Sequence, residues 1–249
     1  MMHPLRLLAA IALAALPLPA LAAAPDCSVP EEILLDDPAL PLVAQALHDK
    51  RPITIVAIGG AATAGTAAAN PAQDSYPHRL QEVLRRRHPD VPISVLNKGV
   101  TRQTTQEMVD RFERDVYALA PMLVVWETGT FDAARNIDLD VFATALETGL
   151  AALRDHNLDI VLMNMQYSRS TDSVIDFQPY LEAMQHRADV DNVYLFRRFE
   201  MMRYWSENGV FQFADVPRER RAELATQVYN CLAERLADAI ERAAEHAAR

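Results

Sequence analysis

The sequence predicts an α/β domain built on a mostly parallel, five-stranded sheet with helices on both faces. Five short apolar runs recur along the chain, separated by segments long enough to cross over as helices. Half of the residues are hydrophobic, which supplies a core for one domain of this length. Crossovers between such strands are expected to be right-handed.

Residues 1–24 read as an export signal. His3 and Arg6 give a weakly basic start, Leu8 to Leu16 is a short apolar stretch, and Ala20-Leu21-Ala22 and Ala22-Ala23-Ala24 offer small-residue cleavage sites. Pro17 and Pro19 interrupt the stretch, which is too short to span about 30 Å of hydrocarbon. The expectation is an exported protein, periplasmic if the source is Gram-negative, that does not span the membrane after cleavage.

An N-terminal arm follows over 25–52, with Leu40, Leu42, Val43 and Leu47 spaced for a short helix. The domain proper is expected over 53–249. Its strands are Ile53–Ile58, Ile93–Leu96, Met122–Trp126, Asp159–Met165 and Val193–Phe196. Helices are expected over Tyr76–His88, with Pro77 in the first turn where its missing N–H costs nothing, and over Thr104–Leu119. Others are expected over Leu139–Leu153 (capped by Asp138), Pro179–Arg187 and Glu200–Trp205, and a last long one over Pro217–Ala244.

The formal charge of -10 becomes more negative when Arg6 leaves with the signal, which argues against nucleic acid and anionic lipid surfaces as partners. There are two cysteines, Cys27 and Cys231. In an oxidising compartment they read as one disulfide joining the arm to the last helix; two separate buried thiols are the alternative. Neither has a second cysteine nearby, so no metal site is expected. No cofactor motif is present: the glycines after the first strand do not follow G-x-G-x-x-G, and no Gly-Lys-Ser/Thr occurs.

In an open parallel sheet, sites form beyond the carboxyl ends of the strands. After the first strand stands Gly59-Gly60-Ala61-Ala62-Thr63-Ala64-Gly65, where the glycines are expected to permit a sharp turn that presents N–H groups. Asn97-Lys98-Gly99 follows the second strand and Gly129-Thr130-Phe131 the third. Tyr229-Asn230-Cys231-Leu232-Ala233 lies in the last helix. In this order the segments resemble the blocks of the SGNH, or GDSL-type, hydrolases, serine esterases and acyl hydrolases on a flavodoxin-like three-layer α/β/α fold. The resemblance runs from about residue 53 to the C-terminus.

The resemblance implies a degenerate member. The family's nucleophile falls on Ala61 and its oxyanion-hole asparagine on Phe131. Gly99 is retained and implies one remaining backbone donor. The last block has two registers. One places the family's aspartate and histidine on Arg220 and Glu223; the other uses Asp215 and places the histidine on Arg218. No histidine lies between His186 and His246. Losing a triad member collapses activation of the nucleophile, and one lost oxyanion donor costs about 3 kcal/mol more.

The leading expectation is a non-catalytic protein binding an envelope glycan, lipid or protein partner. The alternative is an ester hydrolase or carbohydrate deacetylase with a non-standard site, for which Glu127 and Asp132 around Gly129 are the candidate acid/base pair and Gly60 lies at the same strand-end turn. Asp132 as a turn or cap residue is the commoner role for such an aspartate. A ligand pocket is expected from Asn164, Gln166 and Tyr167 after the fourth strand, with Arg218 in the cluster Arg218, Arg220 and Arg221, which either pairs with Glu219 and Glu223 or binds an anion.

Overall fold

The computed structural model describes residues 25–34, 38–213 and 216–248. Residues 1–24, expected to direct export, and Asp215 lie outside the described residues. Five strands, β1 (Ile53–Gly59), β2 (Ile93–Gly99), β3 (Leu123–Glu127), β4 (Asp159–Met163) and β5 (Tyr194–Phe196), form one sheet in the order β2-β1-β3-β4-β5. Every neighbouring pair is parallel, with Ile53 beside Ile93, Ile55 beside Leu123, Leu123 beside Asp159 and Val161 beside Tyr194. This is the doubly wound order whose switch point lies between β1 and β3, so a crevice is expected outside Gly59 and Glu127.

Side chains alternate across the sheet and create two cores. Ile53, Ile55 and Ala57 of β1 and Leu123 and Val125 of β3 pack against the helices Pro41–His48, Tyr76–Arg87 and Arg221–Ala247. Val56, Ile58, Val124 and Trp126 face the opposite way, toward Leu139–Asp155 and Gln178–Asp191. The result is the expected three-layer α/β/α sandwich. Gly149 allows a close helix-to-sheet contact: a Cβ there would lie 2.3 Å from the Trp126 indole.

Local chemistry explains most helix boundaries. Asp138 caps Leu139–Asp155 by accepting from the N–H groups of Asp140 and Val141, as expected. The segment expected as one helix over Thr104–Leu119 is instead broken into Thr105–Val109, Phe112–Asp115 and a 3-10 turn, Tyr117–Leu119. Thr104 and Glu107 start it with a reciprocal capping box. The chain then turns at Arg111, whose buried guanidinium donates to the Gly59 carbonyl (3.3 Å) and to Asp115 (3.0 Å). Hydrogen bonds from Arg114 and Arg111 hold the Asp115 carboxyl down at about 2. The last helix begins at Arg221, after a 3-10 turn over Arg218–Arg220.

The N-terminal arm is tied into both ends of the core. Cys27 and Cys231 form a disulfide with their Cα atoms 5.1 Å apart. Trp205 Nε1 donates to the Ser28 carbonyl, and Tyr194 Oη donates to that of Leu34. Asp159, buried at the start of β4, accepts from the Val43 N–H at 2.9 Å. Burial pushes its carboxyl up to about 6, against the opposing effect of the Val43 and Leu42 amides. Among the described residues no helix is long and apolar enough to cross a membrane.

Candidate functional site

The crevice at the switch point is a cavity of about 140 Å³. Gly60, Ala61 and Ala62 form one wall, and Thr128, Thr130 and Phe131 another. Arg102, Gln103 and Gln166 lie at its polar side, and Met108 and Ala134 add apolar surface. Ala61 is exposed. No histidine among the described residues lines the cavity.

The turn after β1 is held by a buried carboxylate rather than by glycine flexibility. Gly59 and Gly60 both lack the positive φ expected of such a turn; Gly65, at φ 74°, supplies the left-handed residue instead. Gly59 is required for space, because a Cβ there would lie 2.2 Å from Thr63 Oγ1 and 2.7 Å from Glu127 Oε2. The Gly60 N–H donates to Glu127 Oε2 at 2.7 Å.

Glu127 is saturated. Its Oε2 also accepts from Thr63 Oγ1 at 3.0 Å, and its Oε1 accepts from Arg198 Nη2 at 3.0 Å and from Thr130 Oγ1 at 3.4 Å. Thr63 has one hydroxyl hydrogen and gives it to Glu127, so the Tyr76 hydroxyl, 3.0 Å away, donates to Thr63 in turn. Arg198 is fully buried, and Glu127 is nearly so. Burial, and then the negative charge of Glu127, raises the Tyr76 hydroxyl above its usual range. Burial likewise pushes Tyr229 up to about 12, opposed by the Arg198 charge. An ion pair with every carboxylate oxygen engaged is poor general-base material but a strong brace between β1, β3 and the helix Arg198–Glu207.

Asp132 belongs to a different cluster. It is buried and accepts from the Thr105 N–H at 3.1 Å and the Thr105 hydroxyl at 3.0 Å. Burial raises its carboxyl, and the Thr105 hydrogen bonds oppose the shift. It anchors the helix Thr105–Val109 and does not line the crevice. Glu127 and Asp132 therefore do not converge on a shared acid/base site.

A model of the non-GDSL lipase-like family matches residues 26–246. The chain belongs to this family. No curated protein matches it by sequence. Among solved structures, a two-domain esterase active on acetylated mannans is similar over 83% of this chain, at 16% identity and a TM-score of 0.65. The match spans 55% of that esterase's chain, about half its length. An acetylxylan esterase from Geobacillus stearothermophilus is similar over 76% of this chain and 94% of its own, at 18% identity and a TM-score of 0.58. At such identities the likeness is one of fold.

In this non-GDSL lipase-like protein the other expected site residues separate. Gly99 is not a free oxyanion donor: its N–H donates to Asn97 Oδ1 at 2.9 Å. It is glycine because a Cβ would lie 2.1 Å from the Ala64 nitrogen. Asn97 in turn donates to the Thr63 carbonyl at 2.7 Å, so Asn97-x-Gly99 braces the turn. Asn164 is buried, donating to Glu200 and accepting from the Phe199 N–H, and does not line the crevice. Arg220 and Glu223 form an exposed ion pair at 3.3 Å. Arg218 is exposed at the start of that helix and lines neither this crevice nor the cavity beside Tyr167.

Of the expected ligand residues, only Gln166 reaches the crevice. The sequence reading missed Arg198 as the partner of Glu127. The available signal was a pair of arginines, Arg197 and Arg198, set between apolar residues at a strand end. A buried arginine there requires a carboxylate, and Glu127 follows an otherwise apolar strand.

Proposed function

We propose that this protein is an exported, non-catalytic SGNH-fold domain that holds an acylated envelope glycan without cleaving it. One observation carries the reading: the family's nucleophile falls on Ala61, and among the described residues the one carboxylate lining the crevice beside it already accepts from Gly60, Thr63, Thr130 and Arg198. The serine and histidine that attack and abstract a proton in such hydrolases have no counterpart among the described residues lining the crevice.

The crevice nevertheless persists, and its surfaces suit an acyl sugar. Ala61, Ala62, Met108, Phe131 and Ala134 offer an apolar recess sized for a short acyl group. Arg102, Gln103 and Gln166 offer hydrogen bonds to sugar hydroxyls beside it. Two fold relatives act on acetylated mannans and acetylxylan, which supports this ligand class. The export segment and the Cys27–Cys231 disulfide support an oxidising, extracytoplasmic location.

Titration calorimetry with acetylated and chemically deacetylated manno-oligosaccharides, together with an assay for released acetate, tests the proposal. The acetylated ligand should bind at least tenfold more tightly, with acetate release at the buffer rate. Equal affinity for both ligands, or catalytic acetate release, would overturn it.

A further inference from the structure

Gln166 lines the crevice at Ala61, and the next residue, Tyr167, lines a second and larger cavity of about 340 Å³. That volume falls in the range of roughly 300–1,000 Å³ usual for small-molecule sites. Met202, Trp205, Phe211, Phe213 and Val228 make its wall apolar. Trp205 stacks edge-on against Phe211 at 5.6 Å, which gives that wall a rigid aromatic corner.

The polar side of this cavity has one sign of charge. Arg169 and Arg221 line it, and among the described residues no carboxylate does, although the chain as a whole carries a formal charge of -10. Neither arginine pairs with a carboxylate among the described residues. Each reaches only a backbone carbonyl at 3.4 Å, Arg169 that of Ser206 and Arg221 that of Val216. Two exposed guanidinium groups beside an apolar recess match a ligand with a hydrocarbon body and an anionic end, because the planar fork binds carboxylate or phosphate oxygens in pairs.

We propose that this cavity binds a single-chain amphiphile with an anionic head, its tail against Trp205, Phe211 and Val228 and its head at Arg169 and Arg221. A neutral glycan leaves both the apolar wall and the guanidinium groups unmatched. This site is separate from the crevice at Ala61 and does not depend on the glycan reading.

Direct binding of dodecanoate, dodecyl phosphate and dodecanol to the mature protein, without oligosaccharide, tests the proposal. Dodecanoate or dodecyl phosphate should saturate one site, and whichever binds more tightly identifies the head as carboxylate or phosphate. Dodecanol should bind at least tenfold more weakly. The R169Q/R221Q variant changes two exposed side chains and should keep its melting temperature while losing at least tenfold in affinity for the anionic probe, with dodecanol unaffected. A bromine-tipped dodecanoate should quench tryptophan fluorescence, because Trp205 lines the cavity. Failure of both anionic probes to bind, equal binding of dodecanol, an unaltered affinity in R169Q/R221Q, or absence of quenching would overturn the proposal.

Discussion

Glu127→Ala is expected to destabilise the protein by about 3–5 kcal/mol, because it leaves the Arg198 guanidinium buried without a counter-charge. For a domain of this size that corresponds to a fall in melting temperature of about 10 °C. The same change strips the Gly60 N–H and the Thr63 hydroxyl of their acceptor, so the turn carrying Ala61 loosens as well. Neutralising both partners removes the buried charge, and E127Q/R198M should therefore be more stable than E127A. Thermal denaturation of the variants measures this. A loss below about 1 kcal/mol for E127A would mean that the pair is not the brace described here.

Removing the disulfide is expected to have a comparable effect. Cys27 and Cys231 are 204 residues apart, and cross-linking so long a loop restricts the unfolded chain by about 5 kcal/mol in the chain-entropy model. The C27S/C231S variant should lose about 3–5 kcal/mol and melt about 10 °C lower. The arm should release first, because outside the disulfide it is tied by few bonds, among them those from Trp205 to Ser28 and from Tyr194 to Leu34. Calorimetry with and without reductant reads the effect. A shift under about 2 °C would show that packing of Leu34, Leu40 and Val43 holds the arm without the cross-link.

The fold was legible because its signals are local. Apolar runs such as Ile53–Ile58 and Met122–Trp126 can only be buried strands once helical segments separate them, and Asp138 announces a helix start by its own side chain. That position 61 carries no hydroxyl was equally legible, since Ala61 is read directly from the sequence. The hydrogen-bond network beside it was not. The Glu127–Arg198 pair spans 71 residues and exists only when β3 and β5 lie in one sheet.

Asp132 and Asn164 illustrate the complementary error. Each is polar and stands just beyond a strand, which is where ligand-binding residues are sought. Both are buried and satisfied by backbone neighbours, Thr105 in one case and Phe199 in the other. Arg218 and Arg221 differ by three residues, yet only Arg221 lines a cavity, because the 3-10 turn over Arg218–Arg220 sets where the last helix begins. Sequence alone does not resolve a helix start to that accuracy.

The central claim is that the chemistry is gone because the surroundings of position 61, and not its side chain alone, have lost their catalytic groups. A61S tests it most directly. The variant places a hydroxyl at the crevice with no imidazole among the described residues lining it and with Glu127 already committed to four partners. Exposure to a fluorophosphonate followed by intact-protein mass spectrometry should give the same labelling as wild type, and acetyl-ester hydrolysis should stay at background. Stoichiometric labelling of the introduced hydroxyl, or ester turnover that appears only in A61S, would contradict the account.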